Sequence, residues 1–154
     1  MVSEVKAFTP YVRNTSDPGS TYPAGFPPSD ESELASLAGG GENKLGTTTN
    51  KNTGHTEWPD GRVHHNGFTA TFTPNTVVEF PVSGDPYDID YNSQQEGKSA
   101  TQKTFAAITS RSYHNGVVNT GMIDGSIRKI TNDISLRIWR GLSTRDGGEV
   151  ANPP

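Results

Sequence analysis

Large apolar residues are sparse along the first third of the chain and gather in short alternating runs after residue 68. Residues 2–8 predict a short strand that Pro10 stops, because proline has no amide to donate to a ladder. A strand so close to Met1 has no hairpin partner before it and must pair with something distant. Residues 14–54 carry Pro18, Pro23, Pro27, Pro28 and Gly39-Gly40-Gly41, and read as a long flexible loop or insertion. One helix is expected inside it. Asp30 is its N-cap, Glu33 the other half of a capping box, and Gly39 its stop, with Leu34 and Leu37 turned inward.

From Phe68 onward the period is two. Phe68, Ala70 and Phe72 alternate with Thr69, Thr71 and Thr73, the pattern of a half-buried strand. Residues 76–80 predict a second strand ended by Pro81, residues 83–102 a polar connection, and residues 103–109 a third strand. Residues 117–123 and 126–131 flank Asp124-Gly125, which predicts a hairpin with a two-residue type I′ turn. That turn sets Ile123 opposite Ser126 and Met122 opposite Ile127. A helix capped by Ser135 brings Leu136, Trp139 and Leu142 to one side, and Asp146-Gly147-Gly148 ends the structured region. The sum is one α+β domain over residues 1–154: a mostly antiparallel twisted sheet, a C-terminal helix, and a long irregular loop over 14–54.

Composition narrows this picture. Counting Gly and omitting Tyr, about 38% of the residues are apolar, against roughly 45–50% in typical domains, so the core is lean. The net charge of −4 comes with no basic stripe, which argues against nucleic acid as a partner. The absence of cysteine excludes disulfides, thiol nucleophiles and cysteine zinc sites. No run of 18 apolar residues exists, so the sequence has no membrane segment. Residues 1–6 lack the apolar region of a signal peptide, and a chain truly starting at Met1 is expected in the cytoplasm.

Candidate chemistry is thin. His114 and Asp124 suggest an acid–base pair, but an extended strand between them would hold them about 30 Å apart. They read instead as a hydrogen-bonded residue at the start of a strand and a turn residue. His55, His64 and His65, with Glu57 and Asp60, form a cluster of histidines and carboxylates of the kind that suits zinc. On a strand, however, His64 and His65 would point to opposite faces. The alternative is polar packing near Trp58. Asp88, Asp90 and Asn92 have the spacing of the start of a calcium loop, but Ser93 and Ser99 stand where an EF-hand needs Gly and Glu. An irregular calcium loop and a solvated acidic loop are both left open. The Gly39–Thr47 run lacks the order of a phosphate loop, there is no Gly-x-Ser-x-Gly elbow, and Trp58 and Trp139 read as packing anchors. A catalytic set is therefore not expected, and the chain reads as a non-enzyme.

His114, nine residues, then Asp124-Gly125, followed by Trp139-Arg140-Gly141-Leu142 and Gly147-Gly148-Glu149-Val150, resembles the signature of a planctomycete prepilin-like family, a domain of unknown function (1559). Gly54-His55-Thr56-Glu57-Trp58, Asp60-Gly61-Arg62-Val63-His64, Phe72-Thr73-Pro74-Asn75 and Ser3–Phe8 also resemble family segments. The resemblance implies a pilin-like or pseudopilin-like globular domain in the cell envelope, linked to a type II secretion-like assembly. It also implies an N-terminal prepilin peptidase site and apolar helix, which this sequence lacks, so the chain is expected to be the C-terminal part of such a domain. Its expected partners are other pilin-like subunits or envelope proteins. His114, Asp124, Gly125 and Trp139 then serve as structural motif residues. The alternative is a small-ligand, glycan or metal-binding domain using His55, His64, Asp88 and Asp90.

Overall fold

The computed structural model describes residues 1–13, 27–49, 51–93 and 105–145. Residues 14–26 and 50 of the predicted 14–54 loop, and the Asp146-Gly147-Gly148 stop, lie outside them. In chain order the elements are β1 (Val2–Ser3), β2 (Tyr11–Arg13), α1 (Glu31–Ala38), β3 (Glu42–Lys44), α2 (Val63–Asn66), β4 (Glu79–Val82), β5 (Asp85–Asp88), β6 (Asp90–Asn92), β7 (Ala106–Ala107), β8 (Val117–Gly121), β9 (Ile127–Thr131) and α3 (Leu136–Ser143). The fold is α+β. Among the described residues the strands form three small sheets, ordered β1-β8-β9, β3-β2-β6-β7 and β4-β5. All pairings are antiparallel except β2 with β6.

Two apolar clusters hold these layers together. One gathers Val12, Leu34, Ala38, Val78, Ile89 and Tyr91 around the four-stranded sheet. The other gathers Val118, Ile130 and Ile134 around Trp139, which is fully buried. α1 starts where expected: the Asp30 carboxylate accepts the Ser32 amide at 2.8 Å, satisfying one of the first-turn donors. Leu34 is buried, whereas Leu37 is only half so, because Ala38 takes the second inward position. Residues 42–44, expected to be loop, pair with β2 instead.

Several sequence expectations change. Residues 68–73 form no ladder strand. Phe68 and Ala70 pack on the Trp139 cluster and Phe72 on the other, so the alternation is real. The neighbouring chain is held mostly through threonine hydroxyls, as where the Ile108 amide donates to Thr69 Oγ1 at 2.9 Å. Pro81 lies inside β4 opposite Pro86, on a two-stranded ribbon whose outer edges need no amide. Residues expected to be a polar connection build β5 and β6. The type I′ geometry belongs to Ser83-Gly84, whose φ values are +54° and +94°.

At Asp124-Gly125 only Gly125 has positive φ, +82°. Met122 N donates to Ser126 O at 2.9 Å and Gly125 N to Met122 O at 3.0 Å, so Ile123-Asp124-Gly125 is a three-residue loop of the glycine-bulge kind. The register moves by one residue from the expected pairing: Val118 faces Ile130, and Gly121 faces Ile127. Val118, Thr120 and Ile130 therefore point into the core, while Ile127 stays 73% exposed and Ile123 98% exposed. Among the described residues no helix is long and apolar enough to cross a membrane.

Candidate functional site

The polar residues singled out by sequence converge on two places. The first is a buried centre between residues 54–66 and β6. Arg62-Val63-His64-His65-Asn66 turns into a single helical turn, with the Asp60 carboxylate accepting the Arg62 amide at 3.1 Å before it. On a helix, consecutive side chains diverge by about 100°, not the 180° of a strand. His64 and His65 therefore both turn inward, with ring centroids 4.2 Å apart, and His64 lies 4.7 Å from the Tyr11 ring. This corrects the opposite-face expectation. Gly54 makes the approach: a Cβ there would meet His64 O at 3.1 Å and Thr9 O at 3.2 Å.

Each histidine has a different neighbour. The Asn92 amide nitrogen donates to His64 Nδ1 at 2.6 Å, which places the proton of the neutral ring on Nε2. His55 Nδ1 lies 3.3 Å from His65 O, and its Nε2 faces Asp90 Oδ2 at 3.8 Å. His65 Nε2 faces Glu57 Oε2 at 3.7 Å. Burial, reinforced by the positive charges nearby, pushes the His64 pKa down to about 4. Burial likewise lowers that of His65. The five-residue metal set suggested by sequence is thus divided: Glu57, Asp60 and His65 meet, while His55 and His64 turn to β6. Trp58, expected as a packing anchor, is 65% exposed.

The second place is the floor beneath Asp88 and Asp90. Arg111, which sequence reasoning did not single out, donates Nη2 to Asp88 Oδ1 at 2.8 Å and Nε to Asp88 Oδ2 at 3.1 Å. Its Nη1 donates to Asp90 Oδ1. The cation that these carboxylates face is a guanidinium from their own chain, a single positive charge standing where a calcium ion would have to enter. Burial alone would raise the Asp90 carboxyl. The Arg111 charge foremost, with His55 and the Thr109 amide, holds it below its ordinary value. Asp88-x-Asp90 was the available signal: carboxylates two residues apart on extended chain share a face and call for one cation.

The hairpin residues are spent on local structure. His114 Nε2 lies 3.2 Å from Glu4 Oε1, and Glu4 also accepts the Asn119 amide at 2.7 Å and its side chain at 2.9 Å. Asp124 Oδ1 accepts the Ser126 amide at 2.9 Å and hydroxyl at 2.7 Å. Glu4 is the second residue that sequence reasoning passed over. It joins β1 to β8 where the ladder ends.

Residues 1–137 match the family described as a protein of unknown function (DUF1559). The chain belongs to that family. The DUF1559 match takes in His114, Asp124 and Gly125 and stops two residues before Trp139. No curated protein and no solved structure matches this DUF1559 chain.

Proposed function

We propose that this chain is a non-catalytic structural or interaction module, the globular part of a prepilin-like or pseudopilin-like envelope protein. The observation that carries this reading is the use made of the motif residues. His114 faces Glu4 across the start of β8, Asp124 ties the hairpin loop, and Trp139 fills a core. None of these three shares a partner with another, whereas general acid–base catalysis needs groups within hydrogen-bond reach of one reacting atom. The hairpin tip with Ile123 and Ile127 outward gives such a module an apolar contact point. The chain has no cysteine, so Ile123→Cys carries a single thiol. Crosslinking this variant in cells is expected to give adducts with pilin-like envelope subunits. A protein confined to the cytoplasm and free of such adducts would overturn the proposal.

A second reading is small-ligand or glycan binding, and one observation favours it. A cleft of about 270 Å³ is lined by Phe8, Tyr87, Asp88, Arg111 and Tyr113. Phe8 holds φ at +64° while 75% exposed, and Tyr113 is 87% exposed. Exposed aromatic rings beside the Asp88 carboxylate, itself partly open to solvent, suit a sugar. A glycan array on which Tyr113→Ala and the unaltered chain give the same signal would remove this reading.

A further inference from the structure

We propose that Glu57, Asp60 and His65 form a binding site for a divalent transition-metal ion of the zinc class. This goes beyond the assembly role and does not depend on it. One ligand atom from each of the three side chains lies within 4.8 Å of the other two. From there, small side-chain movements bring all three to the ~2.0–2.2 Å that zinc requires of nitrogen and carboxylate oxygen. One imidazole and two carboxylates also fit the ligand preferences of that ion.

His65 supplies the independent observation. It is 2% exposed, yet neither ring nitrogen makes a hydrogen bond. Its Nδ1 is buried without a partner, and its Nε2 faces the Glu57 carboxylate at 3.7 Å, beyond hydrogen-bond reach. Buried polar atoms are nearly always satisfied, and those that are not call for an explanation. Coordination at Nε2 would give the nitrogen that faces Glu57 a partner, with Nδ1 carrying the ring proton. Glu57 is exposed, which opens the site to solvent and leaves room for water to complete the coordination.

Arg62 is the resident cation. It donates Nε to both Asp60 oxygens, at 2.9 and 2.8 Å, and Nη2 to Oδ2. A metal ion therefore competes with a guanidinium whose side chain is one-third exposed and able to swing into solvent. His55 and His64 take no part, being turned toward Asp90 and Asn92.

The test is a titration of zinc chloride into the purified full chain, followed by calorimetry and thermal melting, with cobalt(II) absorption as the spectral probe. One ion per chain and a raised Tm are expected. Glu57→Gln, at an exposed position, is expected to fold normally and to weaken binding about ten-fold or more. Arg62→Met removes the competitor and is expected to tighten binding several-fold. His114→Gln, at the only histidine outside this region, is expected to leave binding unchanged. The proposal is overturned if zinc leaves the unaltered chain's Tm where it was. It is equally overturned if Glu57→Gln binds as tightly as the unaltered chain, if Arg62→Met binds no more tightly, or if His114→Gln abolishes the effect.

Discussion

Arg111 Nη1 donates to Asp90 Oδ1 with both side chains almost wholly out of water, at 4% and 1% exposure. Breaking such a pair from one side strands the other charge in the interior, which costs roughly 3–5 kcal/mol. Arg111→Met is therefore expected to lower stability by that amount in urea denaturation. Adding Asp90→Asn to it should recover part of the loss, because the stranded charge is gone. Asp88→Asn should cost less than either single change at the buried pair, since the Asp88 side chain is 37% exposed and water can take over its role.

The same guanidinium decides what calcium does. With Arg111 held by Asp88 and Asp90, a calcium ion entering there would meet a positive charge already in place. Millimolar calcium chloride is expected to leave the melting temperature unchanged, and a clear upward shift would contradict this account.

His64 makes stability depend on pH. Its folded pKa is about 4, below the ordinary 6.5, so between those values the unfolded chain binds more protons than the folded one. Stability then rises with pH across that window and is lost as pH falls from 6.5 toward 4. A shift of this size corresponds to about 3 kcal/mol. Urea midpoints measured from pH 7 to pH 4 should fall accordingly, and His64→Asn should flatten the part of that slope that lies above the carboxylate range.

Trp139 and Trp58 should separate cleanly. Trp139 is fully buried, so Trp139→Ala is expected to cost about 3–5 kcal/mol. Its Nε1 has no hydrogen-bond partner, so Trp139→Phe, which removes that orphaned donor, should cost much less than the alanine change. Trp58→Ala should move stability by no more than about 0.5 kcal/mol. Acrylamide quenching of the unaltered chain should reach one tryptophan and spare the other.

Gly125 sits at φ +82° with open space where a Cβ would go. Gly125→Ala is thus a backbone change alone, expected to cost about 1–2 kcal/mol in thermal or urea unfolding. Asp124→Asn retains an acceptor for the Ser126 amide and should stay close to the unaltered chain, an outcome a catalytic aspartate would not give.

The hairpin, α1 and α3 were legible because their signals are local. Turn dipeptides, a capping aspartate and an i, i+3, i+6 apolar stripe act over a few residues. The hairpin register was not, since Asp-Gly serves both a two-residue and a three-residue loop, and Val118 and Ile130 meeting the Trp139 core selects the latter. The buried centre was legible only as a residue inventory. That His64 and His65 sit on one helical turn depends on Asp60, Arg62 and Gly67 shaping the chain on either side. Arg111 was hidden because its partners lie more than twenty residues away, and nothing within reach of a short window marks it as buried.

β1 finds its place beside β8, and Ser3 bonds to a threonine 117 positions further along. During synthesis residues 2–3 therefore stay without this partner until residues 120–121 have emerged. The three-stranded sheet cannot close before β8 emerges, and until β1 docks β8 offers an open edge to any neighbouring polypeptide. For this molecule, timing during translation governs whether that edge meets residues 2–3 or a strand of another polypeptide.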